Sequence, residues 1–178
     1  MLPLCFAIRP RMRGALLGVL LTSTVFAGSS GPARVRLFNT HTGQRIDVIY
    51  RNDEVCVKGA LDKLDGFLCD HRNGQCRAFD PALFDVLSNL ARKVGRSEAE
   101  FQVISGYRTP ATNETLRSSR VGIAKHSLHM MAQAIDIRLP GTPTAVLRDA
   151  AISLGLGGVG YYRNLDFIHV DTGRVRRW

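Results

Sequence analysis

An apolar stripe between Asp80 and Gly95 restricts the possible folds of this chain more than any other pattern in it. Asp80 is a typical helix cap, Pro81 suits a first helical turn, and Gly95 is a typical residue just beyond a helix. Between them, apolar side chains recur at helical spacing and form one face: Leu83, Leu87, Leu90, Ala91 and Val94. A helix with one apolar face packs that face on a second layer of structure.

Short runs with strand-like composition provide the predicted second layer. Residues 34–38 and 45–50 alternate polar and apolar side chains around the turn-forming segment Asn39–Gly43, a pattern that predicts a β-hairpin. Further strands are predicted at 133–138, 101–105, 157–162 and 167–171, and further helices at about 57–68, 109–119 and 143–155. Because strands and helices are interspersed without strict alternation, the sequence predicts a single α+β domain, with helices packed on a mainly antiparallel sheet.

The N-terminal segment has the features of a secretory signal. Arg9, Arg11 and Arg13 precede an apolar run at 14–25, and residues 25–27 end in a small-residue cleavage pattern. The run is shorter than the roughly 20 residues that span a membrane. We therefore expect a signal peptide at 1–27, a short linker at 28–33 and the folded domain at 34–178. The segment has no Arg-Arg pair, so the general secretory route to the periplasm is predicted, with no membrane anchor after cleavage.

The formal net charge is +9, and the predicted signal accounts for three of the positive charges. The remaining surplus favours contact with polyanions, among which an acidic cell-wall polymer, anionic lipid and nucleic acid are the alternatives. No basic run with interleaved aromatic residues is present, which argues against nucleic acid as a partner.

Four cysteines divide between the predicted signal and the domain. Cys5 would leave with the signal, whereas Cys69 and Cys76 bracket the turn-forming pair Asn73-Gly74. In an oxidising compartment these two are expected to form a disulfide, which leaves Cys56 free or buried. A zinc cluster is disfavoured because the three domain cysteines lack Cys-x-x-Cys spacing.

Two histidines and an aspartate near the C-terminal end of the chain are candidates for a metal site. His129 precedes Asp136 by seven residues, and His169 lies in the last predicted strand. If the strands of Asp136 and His169 pair, His129 can fold over them from its loop. Two imidazoles and one carboxylate are the protein ligands of many catalytic zinc sites, whose fourth position is open to water. Considered by spacing alone, the three can equally be ordinary histidines and a hydrogen-bonded strand carboxylate.

The residues around this candidate site resemble a known family. Ser127-x-His129-x-x-Ala132-x-Ala134-x-Asp136, followed by His169, resembles the signature of the LAS zinc peptidases, which include D-Ala-D-Ala peptidases and the hedgehog domain. Within that group the chain is similar to the YcbK-like murein endopeptidase K branch, through residues 39–43, 105–110, 125–129, 157–162 and 169–178. The resemblance covers nearly the whole predicted mature chain.

This resemblance implies a hedgehog/D-Ala-D-Ala peptidase-like fold and one Zn²⁺ ion held by His129, Asp136 and His169. It also implies that Arg108 polarises the scissile carbonyl and that Asp166, three residues before the last ligand, is the general base. Arg108 can instead form a structural ion pair, and Asp166 can instead serve the turn at 163–166. Asp171 is the second candidate for the base, or it orients a ligand histidine.

Further residues are candidates for substrate binding. His126 can line the groove or hold a substrate carboxylate, while Tyr107, Tyr161 and Tyr162 can form its walls; each can equally be structural. Ala132 departs from the family pattern, which has glycine there, and alanine is strained if the position requires a positive φ.

The function expected from these residues is that of a periplasmic zinc metallopeptidase that hydrolyses peptide cross-links in peptidoglycan. D-Ala–diaminopimelate bonds, diaminopimelate–diaminopimelate bonds and carboxypeptidase trimming all remain open. The alternative is a non-catalytic, zinc-containing module that binds peptidoglycan, because hedgehog domains keep this site while serving as ligands.

Overall fold

A single twisted sheet runs through the protein and carries the candidate site. In the computed structural model, residues 31–119 and 122–178 are described, so the predicted signal at 1–27 lies outside the described part of the chain. Within those ranges the sheet has eight strands in the order β3-β2-β1-β4-β5-β7-β6-β8. Their bounds are Ala33–Asn39 (β1), Arg45–Asn52 (β2), Val55–Cys56 (β3), Phe101–Ser105 (β4), Ala134–Arg138 (β5), Gly158–Tyr162 (β6), Phe167–Asp171 (β7) and Arg176–Arg177 (β8).

Most neighbouring strands run antiparallel, as predicted; the pairs β1–β4 and β6–β8 run parallel. Strand β1 begins at Ala33, one residue inside the predicted linker. The short strands β3 and β8 were not predicted, because two residues carry no periodic signal.

Four helices accompany the sheet in the described ranges: Lys58–Phe67 (α1), Pro81–Lys93 (α2), Pro110–Ser119 (α3) and Thr144–Leu154 (α4). Two 3₁₀ turns lie at Leu128–Met131 and Arg163–Leu165. Helix α2 begins as its sequence predicts, because the Asp80 carboxylate accepts the backbone N–H of Ala82 at 3.0 Å. None of the helices in the described part of the chain is long and apolar enough to cross a membrane.

The apolar stripe of α2 forms the centre of the core. Leu83, Leu87 and Leu90 are fully buried, together with Ile137 of β5 and Ile168 of β7. Burying one such side chain contributes about 1.5–3 kcal/mol, so this layer is a main source of stability. Because side chains alternate along a strand, Asp136 and His169 point to the opposite face of the same two strands. One face of the sheet therefore carries the core and the other carries the candidate site.

The disulfide between Cys69 and Cys76 is formed, as predicted. Cys56 is buried at the end of β3, which confirms one of the two expectations for it, whereas the expectation of a free thiol is wrong.

Candidate metal centre

The pairing of β5 with β7 brings Asp136 and His169 together. The two strands are antiparallel, and their register places Asp136 directly opposite His169. Residues directly opposite each other on one face have Cβ atoms about 4.5–5.5 Å apart, which is within reach of shared coordination. The two residues are 33 positions apart in the sequence, and only the strand pairing makes them neighbours.

His129 reaches the same point from the 3₁₀ turn Leu128–Met131. Ser127 caps this turn, and its hydroxyl accepts the backbone N–H of His129 at 3.4 Å. Ala132 closes the turn in the left-handed region, with φ of 53°. The position therefore does require a positive φ, as the family's glycine suggested, and the alanine methyl group is buried there. Reversal of the chain at Ala132 leads directly into β5.

Three donor atoms converge at the candidate site. His129 Nε2 lies 3.1 Å from Asp136 Oδ1 and 3.1 Å from His169 Nδ1, and His169 Nδ1 lies 2.9 Å from Asp136 Oδ1. Ligands bound to one tetrahedral zinc ion at about 2.0–2.2 Å are separated from one another by roughly 3.3 Å. The triangle formed by these donors therefore fits such an ion after small outward shifts, and all three residues are buried.

The outer nitrogen of each imidazole is hydrogen-bonded in a way that sets its tautomer. His129 Nδ1 lies 2.7 Å from the carbonyl oxygen of Gly106, so Nδ1 carries the proton and Nε2 presents a lone pair. His169 Nε2 lies 3.0 Å from Asp171 Oδ2, so Nε2 carries the proton and Nδ1 presents its lone pair. Both lone pairs therefore face the same point beside a carboxylate oxygen, as metal coordination requires.

Burial and charge act on the three ligands in different directions. Burial alone would raise the pKa of Asp136, but His129 and His169 outweigh it and hold that pKa far below its usual range. Burial lowers the pKa of His129, which favours the neutral imidazole that a metal needs. For His169, burial acts in the same direction, but the hydrogen bonds to Asp136 and Asp171 raise its pKa overall. A divalent cation at this point would replace the proton that these carboxylates attract.

Arg108 lies against the ligands and is almost fully buried. Its Nη2 donates to Asp136 Oδ2 at 2.5 Å and lies 3.2 Å from His129 Nε2, while its Nε donates to Ser105 Oγ at 2.8 Å. The backbone N–H of Arg108 also donates to the carbonyl of His129, at 3.3 Å. Nη1 forms no hydrogen bond within the described ranges. The structural ion pair considered for Arg108 is thus present, and the two N–H groups of Nη1 remain for another group.

The two aspartates proposed for the general base lie in different surroundings. Asp171 is completely buried and accepts hydrogen bonds from His169 and Arg176, so it fixes the orientation of the His169 ring. Asp166 is not brought to the cluster. It occupies the left-handed position that ends the turn Arg163–Leu165, and its largely exposed carboxylate contacts Thr144 and Arg138. The turn conformation directs the side chain to the start of α4, which matches the alternative reading of Asp166 as a turn residue.

A cavity of about 350 Å³ opens onto Arg108 and the three candidate ligands. His126 lines it, as predicted for a substrate-binding residue, and Tyr162 forms part of its wall. Tyr107 and Tyr161 are not among the residues that line it, which fits the structural alternative for both. Tyr107 belongs to the core, and Tyr161 packs against the core and under Arg148. Side-chain alternation along β6 explains why Tyr162 lines the cavity and Tyr161 does not. Gly160 pairs with His169, so only the even-numbered residues of β6 share the face of the site.

Sequence reasoning missed several residues of this cavity. Trp178 packs on the ring of His169, with ring centroids 5.3 Å apart. It fits because Gly160 has no side chain: a Cβ there would lie 2.7 Å from the indole ring. His41 and Arg72 also line the cavity. His41 lies in the segment 39–43 already singled out, whereas no pattern marked Arg72.

The fold and the three converging side chains define a class: an α+β domain with a candidate His–Asp–His metal site, as in metallopeptidases. The family model described as peptidoglycan L,D-endopeptidase MepK matches residues 27–178. Haemophilus influenzae has a probable peptidoglycan L,D-endopeptidase MepK that is 40% identical over 168 residues, covering 93% of this chain and 90% of that protein. Peptidoglycan L,D-endopeptidase MepK of Escherichia coli K12 is 38% identical over 166 residues, covering 92% of this chain and 91% of that protein. The chain belongs to the MepK family of peptidoglycan L,D-endopeptidases.

Proposed function

We propose that this protein is a zinc-dependent endopeptidase that hydrolyses peptide cross-links of peptidoglycan in the periplasm. The observation that carries the proposal is the convergence of two histidine lone pairs and one carboxylate beside the buried guanidinium of Arg108. A site that only stabilised the fold would be served by four protein ligands. Within the described ranges three ligands converge, and they face a cavity.

Of the bonds that the sequence leaves open, the diaminopimelate–diaminopimelate bond is favoured. It joins an L-centre to a D-centre, and the relatives are named L,D-endopeptidases. The D-Ala–diaminopimelate bond joins two D-centres and is the second candidate.

The chain's own residues account for binding and charge stabilisation. His129, Asp136 and His169 would hold the Zn²⁺ ion, which would supply a Lewis acid and make water acidic enough to act as a nucleophile near neutral pH. Arg108 Nη1 donates to the scissile carbonyl oxygen and stabilises the negative charge that develops on it. Asp171 keeps the proton of His169 on Nε2, so that Nδ1 remains a ligand. Tyr162 and Trp178 wall the cavity and hold the peptide against these groups.

The general base is the part of the mechanism that needs a separate test. Asp166 can serve only if its carboxylate leaves Thr144. A loss of more than about 100-fold in kcat for Asp166→Asn, with zinc retained, would return Asp166 to that role.

The cleavage itself is tested with purified protein and defined cross-linked muropeptides, analysed by mass spectrometry. We expect cleavage by the zinc-loaded protein, its loss on chelation and its return when zinc is added back. No cleavage by folded, zinc-loaded protein would favour the non-catalytic binding module instead. Two variants complete the design: His129→Ala should lose both zinc and activity, and Asp149→Asn, an exposed site on α4, should keep both.

The location rests on the N-terminal sequence. The charged, apolar and small-residue segments at 1–27 support export, and the Cys69–Cys76 disulfide suits an oxidising compartment. Mass measurement of the protein isolated from a periplasmic fraction should give a chain that begins at Gly28. A chain that retains residues 1–27 in the cytoplasm would contradict this part of the proposal.

A further inference from the structure

The cavity beside the metal centre contains a positive charge that the mechanism does not use. Arg72, Arg108 and Arg176 all line it. Arg108 is paired with Asp136, and Arg176 is paired with Asp171. Arg72 is exposed, and its guanidinium forms no hydrogen bond or ion pair with any residue in 31–119 or 122–178. It is therefore available to an anion that enters the cavity.

Arg72 is carried by a loop that is held in place at three points. The Cys69–Cys76 disulfide closes the loop, with Cα atoms 4.4 Å apart. Asp70, fully buried, accepts from the backbone N–H of Thr109 at 2.9 Å and from its hydroxyl at 3.0 Å. His71 stacks on His41, with ring centroids 3.8 Å apart.

These attachments tie the loop to the site itself. Thr109 directly follows Arg108, and His41 lines the same cavity as Arg72. Within the loop, the backbone N–H groups of Asn73 and Gly74 donate to the carbonyl of Asp70. The position of the Arg72 backbone relative to Arg108 is thus set by these contacts, so only the Arg72 side chain has to be ordered when a ligand binds.

The electrostatic environment agrees with an anion site. Burial lowers the pKa of His71, and so do His41, Arg72 and Arg108, whereas Asp70 opposes them. Positive groups that lie close enough to disfavour one another's charge are stabilised when a carboxylate binds between them.

The chemistry of an L,D cross-link supplies such a carboxylate. The amide nitrogen of that bond is attached to the D-centre of diaminopimelate, and the same carbon carries a free carboxylate group. The carboxylate therefore lies only three bonds from the scissile carbonyl carbon, within about 4–5 Å. A residue that binds it must lie beside the group that holds the scissile carbonyl.

We propose that Arg72, presented by the Cys69–Cys76 loop, binds the free carboxylate on the leaving side of the scissile amide. This inference rests on the proposed function and assigns Arg72 as the residue that selects substrates with that carboxylate. A guanidinium can bind a carboxylate through two parallel N–H donors, and a neutral amide in the same place loses the charge and one acceptor.

The test uses two cross-linked peptides that differ only in this group, one with the free carboxylate and one with its primary amide. Wild-type, zinc-loaded protein should cleave the acid with a KM about 10- to 100-fold lower than the amide, the range expected for a charge-assisted hydrogen bond. Arg72→Gln should raise KM for the acid to the level of the amide and leave kcat within about threefold. Arg72→Lys should recover part of the preference. Arg77→Gln removes an equal charge from the same region outside the cavity and should behave as wild type.

Equal KM values for the two peptides with wild-type protein would overturn the inference and leave the proposed function intact. So would an Arg72→Gln variant that keeps the wild-type preference. Calorimetric binding of both peptides to zinc-free protein separates the two proposals further. Arg72-dependent binding of the acid without cleavage by the zinc-loaded protein would refute the proposed function alone, and binding with no difference between the peptides would refute the assignment of Arg72.

Discussion

Replacing Asp171 with asparagine should weaken zinc binding although Asp171 is not a ligand. Asp171 Oδ2 accepts from His169 Nε2 at 3.0 Å and from Arg176 Nη2 at 2.7 Å. Oδ1 accepts from the backbone N–H groups of Gly158 and Gly173 and from Arg176 Nη1. An asparagine can present its oxygen to only one of these two sets of donors. Three donors favour the Oδ1 position, so the NH₂ group would face His169.

The consequence for His169 is a change of tautomer or a lost hydrogen bond. With an NH₂ group opposite, Nε2 is better placed as an acceptor, and the proton then moves to Nδ1, the nitrogen that should bind the metal. A hydrogen bond to a charged group contributes about 1.5–3 kcal/mol. Loss of a partner that orients a metal-bound histidine typically costs about 10- to 100-fold in affinity. We expect the zinc dissociation constant of Asp171→Asn to rise within that range.

The assay is competition for zinc between the protein and a chromophoric chelator, at a temperature where circular dichroism shows both proteins folded. Asp149→Asn removes the same charge from an exposed position and should bind zinc as the wild type does. A folded Asp171→Asn protein with a zinc dissociation constant within about threefold of wild type would refute the reasoning about the tautomer.

Four further substitutions, one of them a control for another, test other parts of the structure. Arg108→Gln should lower kcat about 100- to 1,000-fold with zinc content unchanged, because a donor to the developing negative charge is lost; a loss below tenfold in steady-state kinetics would argue against that role. Ala132→Gly should change the free energy of unfolding by less than about 1 kcal/mol, because relief of the left-handed strain offsets the lost methyl burial and the greater entropy of the unfolded chain. Ala134 lies in extended strand with no such strain, so Ala134→Gly should lower the free energy of unfolding by at least about 1 kcal/mol more than Ala132→Gly does, as measured by urea denaturation. Equal losses for the two variants would contradict the explanation given for Ala132. Asp70→Asn should lower the free energy of unfolding by about 1–3 kcal/mol, since the buried carboxylate accepts two hydrogen bonds from Thr109; a change under 0.5 kcal/mol would show that the loop is held by its other contacts.

Much of the fold follows from local patterns in the sequence. Asp80, Pro81 and Gly95 mark the limits of α2, and the period of two in residues 34–38 and 45–50 marks the hairpin β1–β2. These signals are local, since a cap or an alternating run needs only its neighbours. The parallel pairing of β1 with β4 has no local signal, because it depends on how α1 and α2 return the chain to the sheet.

The residues of the candidate site likewise differ in whether a local pattern marks them. His129, Asp136 and His169 belong to compact motifs, and the structure brings them together as the sequence predicted. Asp166 lies three residues before His169, as the motif requires, but its side chain does not reach the site. Asp166 itself has a left-handed backbone conformation, which turns its side chain toward α4. Arg72 has no motif, and its place beside Arg108 results from a disulfide, a buried carboxylate and a pair of stacked rings that join distant segments.

The alternation of β5 and β7 makes correct folding a condition for a correct metal site. Ile135 and Ile137 fill the core while Asp136 between them faces the two histidines, and Ile168 and Val170 flank His169 in the same way. A slip of one residue in this pairing would expose the isoleucines and bury the aspartate, with several kcal/mol lost from the core. Misregistered forms therefore cannot compete with the native one. Burial of the apolar side chains thus selects the strand register, and that register in turn places Asp136 opposite His169. A chain that has formed its core has therefore also aligned its candidate metal ligands.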